Sequence, residues 1–154
     1  MADGNWEAHN FALGAATGDS TINVAEFSVF SSILTSTGAA TQFDSRAAVR
    51  NTETIKVRTL VKSAHDLSGK LLLKIDTQGY EKQVLDGGLK ILSRFEGILM
   101  ELPITQLYEG NWQFHEALEY MAAGGFVPAQ IHPVNYHSKD RVSLVEVDCL
   151  FRPS

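Results

Sequence analysis

The sequence predicts an α/β domain built on one mixed sheet, with helices on both faces and an antiparallel strand pair at its C-terminal end. Three observations lead there. The run Leu71, Leu72, Leu73, Lys74, Ile75 is apolar almost throughout, as a parallel strand covered on both faces requires. A polar turn, apolar residues at helical intervals and a second apolar run come after it. Near the end Val145, Val147, Cys149 and Phe151 alternate with Glu146, Asp148 and Leu150, so one strand presents a single apolar face.

In chain order, AHNFALG and STINVAEF flank the Gly and Asp turn AATGD and read as strands. Residues 31–54, rich in Ser, Thr and Ala and weak in periodicity, predict a long surface excursion. Ile55, Val57 and Thr59 then alternate with Lys56, Arg58 and Leu60, the pattern of a half-wet edge or flanking strand. LLLKI follows as the central strand. Asp76, Thr77, Gln78 and Gly79 form its polar turn, and Val84, Leu85, Leu89, Leu92 and Phe95 recur every three to four residues, a helical stripe for the sheet.

Residues 97–102 make a second buried strand, stopped by Pro103, which has no N–H for a ladder. Phe114, Ala117, Leu118, Met121 and Ala122 predict a helix that Asn111 can cap and Gly124 and Gly125 can end. Strands over 126–131 and 142–151 close the chain, with 132–141 as a long turn between them.

Composition limits the function. At 154 residues and 44% hydrophobic content, the chain is long enough for one domain, 1–154, with a real core. A formal net charge of -5 without a Lys/Arg cluster argues against a nucleic-acid surface, since phosphate binding needs a concentrated positive field. A small-molecule or protein partner is expected instead. One cysteine, Cys149, excludes an internal disulfide or a four-cysteine zinc site, and a cytoplasmic location is the default. The start MADGNWEAHN is not a secretory signal, and no apolar stretch approaches the roughly 20 residues of a membrane span. His132 and His137 are close in sequence but lack metal-ligand spacing, so no metal site is expected.

Open α/β sheets bind ligands beyond the carboxyl ends of their strands, which selects Asp76, Thr77, Gln78 and Glu101. Asp76 either contacts a cofactor or substrate hydroxyl or caps the helix that follows. Glu81, in the first helical turn, is favoured there by the helix dipole and serves either the fold or the site. Glu101 is either at the cleft or the first solvated residue of its strand. Tyr80, Tyr108 and Trp112, beside helix starts, read as packing.

The string LLLKIDTQGYEKQVLDGGLKIL resembles the signature segment of the FkbM family of S-adenosylmethionine-dependent methyltransferases. ALGAATGDSTINV with SSIL, LMELPITQLYEGNWQF and VEVDCLF agree with that family in order and spacing. The resemblance implies a partial class I, Rossmann-like methyltransferase sheet and O-methyl transfer to a small-molecule or sugar hydroxyl. It implies cofactor contacts from Asn10, Ala12, Leu13, Asp76 and Thr77, and catalytic roles for Asp76, Glu81 and Glu101. The family's glycine-rich turn and ribose-binding acidic strand end have no counterpart here. A shortened domain is therefore expected, binding S-adenosylmethionine weakly or not at all alone, with a non-catalytic binding or structural module as the alternative. Without the strands that flank LLLKI in the family, its edge is expected to pair two chains into a homodimer.

Overall fold

Among the described residues seven strands divide into two mixed sheets, where the sequence predicts one. The computed structural model describes residues 5–154; of the polar N-terminal segment, residues 1–4 lie outside the described residues. The smaller sheet holds β1 (Ala12–Leu13), β2 (Gly18–Ala25) and β3 (Val49–Arg58) in the order β1-β3-β2. β1 runs parallel to β3 and β2 antiparallel. β3 is thus a middle strand rather than an edge. It alternates because its sheet is thinly covered: Val57 is buried while Lys56 and Arg58 are exposed. The AHNFALG strand contracts to two residues, extended by a bond from the Gly14 N–H to the Arg58 carbonyl at 2.9 Å.

Residues 31–54 are more than an excursion. They contain α1 (Gly38–Phe43), a 3-10 turn at Ser45–Ala47 and the first part of β3. Ala40 and Ala47 are buried with Leu107, Tyr108 and Val145. Alanines give a weak hydrophobic period, yet their small side chains let two backbones approach, so composition concealed a packed unit.

The larger sheet runs β4-β5-β7-β6, from β4 (Leu71–Ile75), β5 (Phe95–Pro103), β6 (Phe126–Tyr136) and β7 (Leu144–Pro153). β4 and β5 are parallel and the other pairs antiparallel. LLLKI is therefore an edge strand, not the central one. Helices on both faces are also corrected to helices on one. α2 (Leu60–Ala64), α3 (Glu81–Asp86) and α4 (Phe114–Ala123) contribute Leu60, Ala64, Val84, Leu85, Ala117 and Met121 to one core. The sheet supplies Leu73, Ile75, Ile98, Met100, Leu102, Val147, Cys149 and Phe151 to that core. A fully buried side chain such as Leu85 contributes about 1.5–3 kcal/mol by leaving water. On the other face Leu72 is 65% exposed, so the apolar run that suggested double cover has one bare side.

α3 is shorter than its predicted stripe. It ends at Asp86, Leu89 is exposed, Leu92 opens a 3-10 turn and Phe95 already belongs to β5. Gly87 sits where α3 meets the end of β1: a Cβ there would lie 2.0 Å from the Gly14 carbonyl oxygen. α4 is where the sequence places it, but Asn111 is buried and does not cap it. The Glu116 carboxylate instead accepts from the Gln113 N–H at 2.7 Å, a charge-assisted start. Pro103 is the last residue of β5, and β6 continues to Tyr136, opposite Leu144, which shortens the turn to 137–143. No helix among the described residues is long and apolar enough to cross a membrane.

Candidate functional site

Parallel pairing of β4 and β5, with Ile75 opposite Met100, brings the residues after both strands to one end of the sheet. Asp76 and Glu101 meet there. Antiparallel β7 adds Asp148 opposite Glu101 and Glu146 opposite Pro103, and β6 adds Asn135 opposite Glu146. Four carboxylates thus gather at one strand end.

The turn after β4 is held from within. Gln78 has φ 53° and Gly79 φ 93°, the left-handed region that glycine enters freely. Glu81 is 2% exposed, and its Oε1 accepts from the Thr77 N–H at 3.1 Å, the Thr77 hydroxyl at 3.1 Å and the Gly79 N–H at 3.0 Å. Burial raises its pKa above the ordinary carboxylate value against these bonds. Glu81 therefore faces its own turn, not a cavity.

Gln78 spans the site. Its Nε2 donates to Asp76 Oδ1 at 3.1 Å and to Glu101 Oε1 at 3.2 Å, while the Tyr108 hydroxyl donates to its Oε1 at 3.0 Å. Lys74 Nζ is 3.0 Å from Asp76 Oδ2, and that carboxylate raises the Lys74 pKa. Glu146 is buried and accepts from the Asn135 amide at 2.8 Å; burial pushes its pKa up. Burial, then the charges of Glu146 and Asp76, lift Glu101 to about 7. A carboxyl that titrates near neutrality can take or give a proton at physiological pH.

Two cavities open here. The larger, about 570 Å³, has Asp76, Gln78, Glu101, Asn135 and Glu146 on one wall and Phe27, Phe30 and Phe43 on another. Arg46 lines it too, paired to Asp44 at 2.7 Å with its guanidinium 4.6 Å from the Phe27 ring centre. The smaller, about 210 Å³, is lined by Ala12, Leu13, Ile22, Ile33, Ile55 and Tyr80, with Ser31, Ser32, Asp76 and Thr77 as its polar groups. Asp76 and Ser31 line both cavities.

The structure thus brings Ala12, Leu13, Asp76 and Thr77 to one cavity and Asp76 and Glu101 to the other. Asn10 is exposed, and neither Asn10 nor Glu81 lines either cavity. Sequence reasoning missed the aromatic wall, Arg46, Asn135 and Glu146. It also read Tyr108 as packing alone, although its hydroxyl reaches the site. Gln78 is among the residues that the sequence selects from the turn after β4, though with no role assigned to it. Among the described residues no group of three or more His, Cys, Asp or Glu side chains could hold a metal ion.

The apolar walls and polar end of the smaller cavity suit the flat base of a nucleoside. At about 210 Å³ it falls below the ~300–1,000 Å³ of ordinary small-molecule sites. The residues present therefore fit part of S-adenosylmethionine rather than the whole of it.

A family model described as the methyltransferase FkbM domain matches residues 4–128. That span includes β1 to β5 and α4, and it ends before most of β6 and all of β7. No curated protein and no solved structure matches the chain. With a family match over most of its length, the chain belongs to the FkbM methyltransferase family.

Proposed function

We propose that this chain takes part in methyl transfer from S-adenosylmethionine to a hydroxyl of a small molecule or sugar, the reaction centring on Asp76 and Glu101. The observation that carries this reading is that Asp76 lines both the smaller cavity and the larger one. A group at that junction can touch a nucleoside on one side and an acceptor on the other.

The cofactor, when bound, supplies an electrophilic methyl group. The chain's own residues supply placement and proton chemistry. Leu13, Ile22, Ile33, Ile55 and Tyr80 flank the base, and Thr77 offers a hydroxyl at the polar end of that cavity. Phe27, Phe30 and Phe43 cover the C–H face of the acceptor and keep water out. Asp76 orients the acceptor hydroxyl, and Glu101 accepts its proton as the oxygen gains the methyl group. Glu81 acts through the turn that it holds.

Methyl-tritiated S-adenosylmethionine incubated with the chain and a set of hydroxylated acceptors tests the reading. Label should reach an acceptor, and Glu101→Gln should lower the rate by about 10²-fold or more, the usual range for a lost acid–base group. Failure to label any acceptor would overturn the reading. A non-catalytic binding module is the second reading. It is favoured by the small volume of the Ala12 and Leu13 cavity and by the lack of a G-x-G turn in the sequence. That module would bind a ligand in the larger cavity and transfer nothing.

A further inference from the structure

Between Asp76 and Glu101 lies one neutral amide. The two N–H bonds of Gln78 Nε2 reach a carboxylate after β4 and a carboxylate of β5, at 3.1 and 3.2 Å. The amide has one sensible orientation. Turned over, its oxygen would face both carboxylates, acceptor against acceptor. The Tyr108 hydroxyl, which also lies 3.1 Å from the Phe30 carbonyl oxygen, marks the place of Oε1.

The backbone of Gln78 is tied as well. Buried Ser32 donates its hydroxyl to the Gln78 carbonyl at 2.7 Å, across 46 residues of sequence. The φ of 53° is uncommon outside glycine, asparagine and aspartate. An unfavoured conformation held by surrounding bonds is typical of functional sites.

We propose that Gln78 is the positioning residue of the acceptor site, fixing Asp76 and Glu101 against one another and turning Glu101 Oε2 toward the acceptor hydroxyl. The proposal rests on the reading of the larger cavity as the acceptor site. The charged groups around Glu101 are Lys74 and Asp76 from β4 and its turn, Glu146 and Asp148 from β7, His132 opposite Asp148 on β6, and Arg46 with Asp44 across the cavity. Lys74 is engaged by Asp76 and Arg46 by Asp44, so an uncharged donor is what holds Glu101. N–H donation to the charged form favours ionisation, and the Gln78 bond lowers the Glu101 pKa against the upward effects of burial, Glu146 and Asp76.

The test is a carbon-13 NMR titration of the side-chain carboxyls in the ligand-free chain, for the parent, Gln78→Leu and Gln78→Asn. Asn accepts the left-handed backbone but is too short to span both carboxylates, so it answers where Leu disturbs the turn. The Glu101 midpoint should rise by about half a pH unit or more in both variants, as loss of a donated bond predicts. A folded variant with an unmoved Glu101 midpoint would overturn the proposal. The titration uses neither cofactor nor acceptor, so its result is independent of whether label is ever transferred.

Discussion

Under the proposed mechanism, Glu101 ties stability and activity to the same protonation step, with opposite signs. Its folded pKa of about 7 lies above the ordinary 4.5. Its contribution to stability is therefore fully present below about 4.5 and lost as pH rises through about 7. Burial raises Glu81 and Glu146 as well, which adds in the same direction. Asp44 and Asp140, held at about 2 by bonds from Arg46 and Ser143 respectively, act the other way, but only at more acid pH. The melting temperature should fall between about pH 4.5 and 7, and Glu101→Gln should flatten that fall; scanning calorimetry over this range checks it. Methyl transfer should rise over the same range as Glu101 ionises. Asp76 is exposed and its ion pair with Lys74 is a surface pair. Asp76→Asn should therefore cost roughly 0.5 kcal/mol or less of stability, yet lower turnover, and equal turnover in mutant and parent would remove it from the mechanism. Asp76, Thr77 and Glu101 were legible in the sequence because each lies at or just beyond the carboxyl end of an apolar strand. Glu146 and Asn135 were not, because only antiparallel register across β6 and β7 carries them to that end.

Among elements, the junction of α3 with the smaller sheet is the most sensitive to a small change. Gly87 touches Gly14 backbone, and the Gly87 carbonyl accepts from the Val61 N–H at 3.1 Å, so α3, β1 and α2 meet at one point. Gly87→Ala should destabilise the chain by about 1–3 kcal/mol or more, the cost of overpacking where backbone must move, and urea unfolding measures it. The same contact shows why α3 was overread. Val84, Leu85, Leu89 and Leu92 keep a helical period, but Gly87 and Gly88 end the helix, and a contact with Gly14 at the end of β1, 73 residues earlier in the sequence, is invisible to local spacing. α4, β5 and β7 were legible because burial on one face writes a period directly into the sequence. The edge position of β4 was not, since three consecutive leucines look the same whether or not a neighbour covers Leu72.

For the whole molecule, the edge of β4 away from β5 has no strand partner among the described residues, because β1 pairs with β3 instead. An apolar strand edge invites pairing, and a homodimer through β4 is the proposed assembly. Light scattering at micromolar concentration should give twice 16.9 kDa, and a stable particle of 16.9 kDa would refute it. The bond from Tyr108 to Phe30 spans 78 residues, and that from Ser32 to Gln78 spans 46. Contacts so distant along the chain close larger loops than local ones do, which favours the local contacts forming first. The β6 and β7 hairpin is local by comparison, and Glu146 lies within it. During synthesis the aromatic wall leaves the ribosome early, while Glu146, which lines the same cavity, emerges only with β7. The candidate site is thus complete only when the β6 and β7 hairpin is in place. In stopped-flow refolding, a fluorescent probe at Phe30 should report a slower phase than one at Tyr136.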